Sequence, residues 1–518
     1  MIYKEIIKSK NNLDVPVLLN GRSLHSKYAP EKEAGNFGKE INENSAFTII
    51  LGLGGGYHIK SFLDRNPNHY ILVIENSEED ISFLSEIECV KTLLQNKNVK
   101  IIPKEKINEN ILKTYLPSFY GGINIISNRT WFEYNSAESK KIIDEINSSI
   151  KICSKDFSVQ SHFGLIWQKN ILNNLKVSSE LKEKEFNFDV SKTAAIIAAG
   201  PSLDMTIGKI IAERNKYFVI ATDTAFSICC KRKILPDAVI SIDGQNISYK
   251  HFVGGKTEFP IFIFDLQANL NAVNFIKKAG AEILFIKSGH PFCSYAELST
   301  SEKDFFLPVN SGAGTVTIAA VDFARKAGFK KIKVYGADFS YIFNKPYAKG
   351  TYLDALYRTE ENRIFPAENS FVNLLYRTPV TKSKIAVDSV QTEQIKNEIL
   401  ESYRKTFLEW LNKNSRNISY ENFIYRADCT NQTLNVKNES DICKVLKRKK
   451  FCYDTFLTRL KKDTEGILSD DKKQNSIRDL TELEISMLPF IAFIRNKHKK
   501  LDFNKSLKLA LTKILEYT

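Results

Sequence analysis

The sequence has 518 residues, a length that usually divides into two or three domains. Its composition, 43% hydrophobic and 26% charged with 14 prolines, excludes a disordered or fibrous chain. No apolar run is long enough to cross a bilayer, and the first residues lack the apolar core of a signal peptide, so we expect a cytoplasmic protein without stable membrane insertion. The eight dispersed cysteines form no C-x-x-C pair, which favours reduced thiols over a zinc site.

The net charge of +14 arises largely from lysine runs in the C-terminal part, at residues 444–450, 461–462 and 497–500. Apolar residues at helical spacing interrupt these runs, a pattern that predicts solvated helix faces. Clustered lysine also attracts polyanions. Since the sequence contains no recognised nucleic-acid module, we expect no nucleic-acid partner.

Residues 1–155 are predicted to form a small N-terminal α/β domain, because apolar runs alternate with helical patterns. The run Phe47–Leu53 leads into Gly52-Leu-Gly-Gly-Gly56, and the next run ends in Glu75. A glycine turn followed about twenty residues later by an acidic residue is typical of ribose-binding Rossmann sites. Glycine turns also close strands for packing alone, so a bound nucleotide or methyl donor and a purely structural turn both stay open.

After a helical linker at residues 156–190, an α/β pattern restarts in a central domain, residues 191–425. Ala194–Ala199 has the continuous apolar character of a buried parallel strand. It ends in a loop where glycine permits close approach of a ligand and Ser202 can cap the next helix. Because a helix N-terminus attracts anions, we expect this loop to bind phosphate, with a ligand-free capped turn as the alternative. The residues expected to contact the phosphate are Gly200, Pro201, Ser202 and Leu203.

Two further strands of the central domain end in carboxylates. Phe218–Thr222 leads into Asp223 and Thr224, and Asp237–Ile242 leads into Asp243. Ligands of open parallel sheets bind at this edge, where the carboxylates can hold ribose hydroxyls, a base or hydrated Mg²⁺. A role for Asp223 as a helix N-cap is the alternative.

A loop of small residues opens the most informative segment, residues 310–339. An Ala-rich helix follows the loop and ends at Gly328, and a strand at Lys331–Tyr335 then leads to Asp338. The loop residues expected to let a ligand approach the backbone are Asn310, Ser311, Gly312 and Thr315.

These motifs together resemble the Maf family, the motility-associated factors that glycosylate bacterial flagellin. The matching segments are AAGPSLD (198–204), ATDTAF (221–226), LPDAVISID (235–243), NSGAGTVTIAA (310–320) and KKIKVYGADFSY (330–341), with Tyr28–Ala34, Leu51–His58, Trp167, Asn170 and Asn174 similar to the preceding parts of the family. The resemblance implies a Rossmann-like parallel-sheet glycosyltransferase domain that transfers pseudaminic or legionaminic acid from its CMP ester to Ser or Thr hydroxyls of flagellin. The implied partners are therefore flagellin and a CMP-nonulosonic acid, in support of filament assembly and motility, and the oligomeric state stays open.

The central segment is also similar, more distantly, to small bacterial sialyltransferases that use CMP-sialic acid. That similarity assigns Tyr341 and Tyr347 to hydrogen-bond the departing CMP phosphate, and phenols stabilise such growing charge without a metal. Ser340, not a tyrosine, follows Phe339, so two tyrosines packed on a loop are the alternative. No cofactor is implied with certainty, although Asp223, Asp243 and Asp338 can hold Mg²⁺.

The general base of the sialyltransferases has no counterpart, since no histidine lies between His290 and His498. A base must reach the acceptor hydroxyl and have a suitable pKa. The candidates are Asp243, His290, Asp354, Glu360 and Glu361, the last three on a lid predicted at about residues 341–384 without regular structure. The lid arginines that can hold the sugar carboxylate are Arg358, Arg363 and Arg377.

Two rival functions remain. The central unit also resembles archaeal pterin pyrophosphokinases, in which ATP and Mg²⁺ would use Asp204, Asp223 and Asp243. The other is a non-catalytic flagellin chaperone or scaffold that docks through an all-α C-terminal domain, residues 426–518. Within that domain Pro489 is expected to break a helix.

Overall fold

The computed structural model describes residues 1–39, 45–134, 136–258, 260–312, 314–387, 390–414, 445–470 and 476–518. They form two compact units, one made of Met1–Leu165 and Leu460–Thr518 and the other of Ile166–Arg459. The predicted fold class is confirmed: the chain is a multi-domain α/β protein with a parallel central sheet and a helical C-terminal region. The four segment boundaries placed on the sequence stay predictions.

A four-stranded parallel sheet is the centre of the first unit, in the order β5-β4-β3-β6, beside an antiparallel pair β1-β2. Every residue of β3 and β4 is buried, as expected for parallel strands covered on both faces. The strands are β1 (Tyr3–Lys8), β2 (Asp14–Leu18), β3 (Phe47–Leu51), β4 (Tyr70–Glu75), β5 (Val99–Pro103) and β6 (Ile123–Ser127). The helices are α1 (Pro30–Ala34), α2 (Tyr57–Arg65), α3 (Glu78–Leu84), α4 (Glu88–Gln95), α5 (Ile107–Thr114), α6 (Pro117–Tyr120), α7 (Arg129–Tyr134) and α8 (Ser136–Glu180).

A seven-stranded parallel sheet is the centre of the second unit, in the order β13-β12-β11-β10-β9-β8-β14. Its strands are β8 (Thr193–Ile197), β9 (Tyr217–Thr222), β10 (Ala238–Ser241), β11 (Ile261–Asp265), β12 (Ile283–Lys287), β13 (Leu307–Pro308) and β14 (Ile332–Tyr335). The chain runs outward from β8 to β13 and then returns to place β14 on the other side of β8. Such a reversal opens a crevice at the carboxyl ends of the two strands that flank it.

Helices cover both faces of this sheet, and the two apolar cores lie between sheet and helices. One face packs on α9 (Leu203–Ala212) and α10 (Asp223–Lys231), and the other packs on α13 (Val316–Lys326). The helices α11 (Leu270–Lys278) and α12 (Pro291–Glu297) follow β11 and β12. The predicted helix and its stop are confirmed in α13, after which Gly328 adopts a φ of +96°.

The helical linker residues of α8 that belong to the second unit bind the loops after its strands. Asn170 Nδ2 donates to the carbonyls of Gly244 and Gln267, and Asn174 Nδ2 donates to those of Leu266 and Ala268, at 2.8–3.1 Å. These amides satisfy carbonyl groups at the carboxyl edge of the sheet. The role of this motif is therefore to fix the loops that follow β10 and β11.

The prediction of an irregular lid was wrong. Residues 341–384 contain α14 (Tyr352–Glu360), α15 (Ala367–Leu375) and strands of a three-stranded antiparallel sheet, in the order β15-β17-β16. Those strands are β15 (Tyr341–Ile342), β16 (Val380–Val387) and β17 (Val390–Asn397), and α16 (Glu398–Asn414) follows them. The helices have nine residues each, which is shorter than the window of about 11–18 residues in which a helical period is read from sequence. We keep the name lid for residues 341–384.

One lysine run was also assigned wrongly. The described part of residues 444–450 contains β18 (Leu446–Arg448), a strand that pairs with β7 (Lys184–Phe186). Leu446 is buried while Lys447 is exposed and pairs with Glu185, so alternation, not helical spacing, decides this element. Residue 444, like the rest of 415–444, lies outside the described residues.

Helices make up the C-terminal region: α17 (Tyr453–Ser469), α18 (Glu482–Ser486), α19 (Leu488–Lys497) and α20 (Phe503–Glu516). The predicted break at Pro489 is confirmed, because α18 ends at Ser486 and Pro489 lies in the first turn of α19.

Candidate functional site

Two turns interlock at the crevice between β8 and β14. The N–H of Gly200 donates to the carbonyl of Gly336 at 2.7 Å. A Cβ on Gly200 would collide with Gly336 and with the Asp338 carboxylate, and a Cβ on Gly336 would collide with the carbonyl of Ala198. Gly336 also has a φ of +69°, which favours glycine. The glycines of both motifs are therefore required for the close approach of two backbone turns.

Asp338 holds the Gly200 turn together from the other side. Its carboxylate accepts a 2.8 Å bond from the N–H of Ser202 and a second bond from the Ser202 hydroxyl. The predicted cap by Ser202 is wrong, since its side chain makes no cap bond to the helix that follows. Burial raises the pKa of Asp338 to about 6, while the bonds from Ser202 lower it.

The backbone donors of the Gly200 turn already have partners in this structure. Besides Gly200 and Ser202, the N–H groups of Leu203, Asp204 and Met205 donate to carbonyls of the same turn. The side chain of Leu203 is fully buried in the core under α9. Phosphate binding by Gly200, Pro201, Ser202 and Leu203 stays a prediction, and a phosphate there would have to share or replace these bonds.

The loop before α13 differs from the Gly200 turn in that several backbone N–H groups at the start of the helix have no partner among the described residues. Thr315 and Gly314 donate to the carbonyl of Ser311, and Asn310 folds back on Gly312 with its side-chain oxygen at 2.7 Å. The N–H groups of Val316, Thr317 and Ile318 have no hydrogen-bond partner among the described residues. Gly312 and Gly314 are exposed at φ of +56° and +86°. This helix N-terminus has the free donors that an anion requires.

Two carboxylates stand at the ends of β9 and β10. Asp223 accepts bonds from the N–H and hydroxyl of Thr224 and from the hydroxyl of Ser241 at 2.7 Å. It is the first residue of α10 and not its N-cap, which is Thr222. Asp243 is only partly buried and accepts from the N–H of Gln245 at 2.9 Å. Burial raises the pKa of Asp243, and the nearby Asp223 raises it further.

The lid brings phenols to these carboxylates. The Tyr347 phenol interacts electrostatically with Asp223 and with Tyr341, and burial raises its pKa to about 12 although 36% of the residue's surface is exposed. Burial also raises the pKa of Tyr341, while a side-chain hydrogen bond with Asn397 lowers it. The two tyrosines of the predicted pair thus interact with each other, and their role in holding a leaving phosphate stays a prediction.

Backbone contacts fix the Tyr347 segment on the sheet. The N–H of Ala348 donates to the carbonyl of Ala199 at 2.8 Å, and the hydroxyl of Ser227 donates to the carbonyl of Gly350. The Asp204 carboxylate accepts from the N–H of Lys349 at 3.2 Å. Asp204 thus positions the lid segment from the start of α9.

The remaining candidates for base and sugar ligand occupy different places. Glu360 and Glu361 are exposed, and Asp354 accepts from the N–H of Gly350. His290 caps α12, with Nδ1 accepting from the N–H of Phe292 at 3.2 Å, and burial lowers its pKa to about 3. All three lid arginines, Arg358, Arg363 and Arg377, are exposed, and Arg377 interacts electrostatically with Tyr341 and Tyr347.

Sequence reasoning missed two members of this site, His251 and Tyr352. His251 ends the 3-10 helix Asn246–His251 after β10, and Tyr352 begins α14. Their rings pack edge to face with centroids 4.8 Å apart. Tyr352 also interacts with Asp223 and Asp243. The signal available in the sequence was the position of His251 eight residues after the strand-end Asp243.

The glycine turn of the first unit has a structural role. Glu75 is fully buried, and its two oxygens accept from Tyr3, Trp131 and the N–H groups of Leu53 and Asn76 at 2.6–3.0 Å. The Trp131 side chain lies where a Cβ on Gly52 would be. With four donors, Glu75 has no acceptor site left for a ribose hydroxyl.

The described residues contain no group of three or more His, Cys, Asp or Glu side chains arranged to hold a metal ion. Within the same residues, no helix has the length and apolar character that crossing a bilayer requires.

Comparisons with known proteins bear on both units. The family profile described as 6-hydroxymethylpterin diphosphokinase MptE-like matches residues 167–344. An uncharacterized protein of Treponema pallidum (strain Nichols) is 37% identical over 147 residues, which are 28% of this chain and 70% of that protein. A second one is 38% identical over 146 residues, 28% of this chain and 49% of that protein, and a third is 22% identical over 225 residues.

Among solved structures, the MAf glycosyltransferase from Magnetospirillum magneticum AMB-1 matches with a TM-score of 0.58 at 12% identity. The match covers 100% of this chain and 91% of that one. At this identity the match establishes a shared fold. The predicted similarity to sialyltransferases stays a prediction.

Proposed function

This chain belongs to one family with the uncharacterized Treponema pallidum protein of which it covers 70%, and we propose that it is a glycosyltransferase that uses a nucleotide-activated sugar. The observation that carries the proposal is the position of the Tyr347 phenol, which interacts with Tyr341 and Arg377 on the lid and with Asp223 at the sheet edge. A lid that brings hydrogen-bond donors to the carboxyl edge of a parallel sheet suits the transfer of a group from a phosphate ester. The fold shared with a MAf glycosyltransferase supports the same reaction class.

The proposed donor is a CMP-nonulosonic acid. Its leaving group has a single phosphate, and two phenols can donate hydrogen bonds to the charge that grows on it. The guanidinium of Arg377 beside the phenols matches the carboxylate of such a sugar. The donors of the α13 N-terminus, free among the described residues, offer a second place for the phosphate.

The proposed acceptor is a Ser or Thr hydroxyl of flagellin. The acceptor oxygen forms a bond to the anomeric carbon while the bond from that carbon to the CMP phosphate oxygen breaks. The electron pair of the broken bond leaves on the phosphate, where Tyr341 and Tyr347 donate hydrogen bonds. The proposal requires no metal ion, because the phenols supply the stabilisation that Mg²⁺ supplies elsewhere.

The experiment is ligand-induced thermal stabilisation with CMP, followed by mass spectrometry of flagellin incubated with the protein and CMP-pseudaminic or CMP-legionaminic acid. A ligand that prefers the folded state raises the melting temperature, so CMP is expected to do so. The expected product is flagellin heavier by one sugar residue. Unmodified flagellin with both donors would overturn the proposal.

A second candidate is a diphosphokinase, favoured by the family profile that matches residues 167–344. It would place ATP and Mg²⁺ on Asp204, Asp223 and Asp243. Asp204, however, lies in ion pairs with Arg232 and Lys345 in this structure. Stabilisation by ATP with Mg²⁺ but not by CMP would support the kinase, and stabilisation by neither would support a flagellin scaffold.

A further inference from the structure

The proposed transfer leaves one proton without an acceptor. The hydroxyl that attacks the anomeric carbon must lose its proton to a group in the site. Asp354 is engaged by the N–H of Gly350, His290 caps α12, and the glutamates at the end of α14 are exposed. The Nε2 atom of His290 is also buried and has no partner among the described residues, but His290 follows β12, which lies two strands away from β10, so none of these candidates lies at the strand ends that hold Asp223 and Asp243.

His251 has both a ring nitrogen without a partner among the described residues and a place near Asp243. It is 8% exposed and lies between the sheet edge and the lid, because its ring packs on Tyr352 of α14 and it is near enough to Asp243 to lower the pKa of that carboxyl. The 3-10 helix that carries it is itself tied to the same strand end, since the Ser248 hydroxyl donates to the carbonyls of Gln245 and Asp243. The position of His251 relative to Asp243 is therefore fixed by the chain between them.

The ring of His251 has an unused polar atom. Its Nδ1 is buried and has no hydrogen-bond partner among the described residues. A buried polar atom left unpaired typically costs about 1–3 kcal/mol, and such atoms are rare in native structures. Packing alone would be served better by an apolar side chain at this position, so the imidazole points to a ligand or a proton.

We propose that His251 is the general base of the transfer and that Asp243 stabilises the imidazolium that forms. The inference rests on the proposed function. The proton of the acceptor hydroxyl moves to the imidazole as the acceptor oxygen bonds to the anomeric carbon, and the electron pair of the broken bond leaves with CMP. Histidine suits this role because it exchanges a proton near neutral pH, and a neighbouring carboxylate stabilises its charged form.

Asp243 is then a positioning residue for the base. Its carboxylate accepts from the N–H of Gln245, which orients it at the start of the loop that ends in His251. Tyr352, the first residue of the lid helix α14, packs edge to face against the ring of His251. The donor is thus held by Tyr341 and Tyr347 on one part of the lid, and the acceptor approaches His251 beside Tyr352 on another.

The test compares His251→Ala, Asp243→Asn, Tyr376→Phe and His290→Asn in the full chain. The readouts are CMP affinity by calorimetry, turnover of flagellin glycosylation, and its restoration by added imidazole. His251→Ala is expected to keep CMP affinity within about twofold while turnover falls about 10²- to 10⁴-fold. Millimolar imidazole should restore part of that turnover, because it supplies the missing base, and should restore none in Asp243→Asn.

Three results would overturn the inference. They are turnover of His251→Ala equal to that of the wild type, loss of its turnover without restoration by imidazole, and restoration by imidazole of His290→Asn instead of His251→Ala. Tyr376→Phe, an exposed lid tyrosine with no role in the proposed transfer, is the control and should retain turnover within about twofold. A wild-type protein that neither binds CMP nor modifies flagellin would instead contradict the proposed function itself.

Discussion

The carboxyl edges of the two parallel sheets have the same sequence signature, a glycine turn after one strand and an acidic residue at the end of a following strand. In the first unit Glu75 is fully buried and accepts four hydrogen bonds from the surrounding fold. In the second unit Asp243 is partly exposed and lies beside His251, whose Nδ1 has no partner within the described residues. The two edges differ in whether the strand-end carboxylate is saturated with hydrogen bonds, not in the glycine motif or in an unpartnered imidazole nitrogen, which the first edge also has at His58 within the described residues.

The largest expected effect is on the second edge. Tyr347→Phe should lower glycosylation turnover about 10²- to 10³-fold, about 3–4 kcal/mol of transition-state stabilisation, since it removes a donor to the leaving phosphate. The melting temperature should change little, because the residue retains 36% of its surface in solvent. Steady-state kinetics give the comparison, with Tyr376→Phe, an exposed lid tyrosine, as the matched control. Equal turnover in the two variants would remove Tyr347 from the site.

A substitution at the carboxyl edge of the first sheet should change the stability of the protein but not its affinity for CMP. Glu75→Ala leaves four buried donors without an acceptor and should lower the free energy of unfolding by about 3 kcal/mol or more. CMP affinity of the folded protein should not change. Urea denaturation and calorimetry measure the two quantities, and Glu78→Ala, an exposed glutamate of the same unit, is the control. A loss of CMP affinity in folded Glu75→Ala would make the first edge a ligand site.

Asp338 should make stability depend on pH. Burial raises its pKa to about 6, above the value near 4 of an unfolded aspartate, so the folded state holds the proton more tightly. The contribution of this group to stability is then fully present below about pH 4 and falls by about 2–3 kcal/mol as pH rises to about 6. Asp338→Asn should lack that fall. The free energy of unfolding is measured by urea denaturation at several pH values between about 4 and 6. The same dependence on pH in the wild type and in Asp338→Asn would contradict the raised pKa.

The smallest expected effect is on stability, and it has opposite signs at two glycines, Gly208 and Gly200. Gly208, in the interior of α9, has open space where a Cβ would be, so Gly208→Ala should stabilise the protein by about 0.5–1 kcal/mol without changing turnover. Gly200→Ala should instead destabilise it, because the Cβ would collide with Gly336 and Asp338. Thermal unfolding of both variants provides the test. A stabilised Gly200→Ala would show that the two turns need not approach closely.

Much of the fold could be predicted from sequence because its strands are short, continuously apolar and bounded by glycine or acidic residues. The predicted strands of both parallel sheets appear within one or two residues of their expected ends, as in β4 at Tyr70–Glu75 and β14 at Ile332–Tyr335. The lid and β18 were missed because α14 and α15 have nine residues each and β18 has three, which is too short for a hydrophobic period to be read from sequence. Their structure depends on neighbours distant in sequence.

The sequence by itself determined the parallel sheets, the strand-end carboxylates Asp223 and Asp243, and the glycines that let β8 and β14 end side by side. Tertiary structure alone decided which polar groups are already used. It assigned Glu75 to the core, Asp338 to Ser202 and His290 to a helix end. It also placed His251 beneath Tyr352. Local propensity fixes an element, but the partners of a buried polar atom come from segments far apart in the chain, so only the folded structure shows which atoms remain free for chemistry.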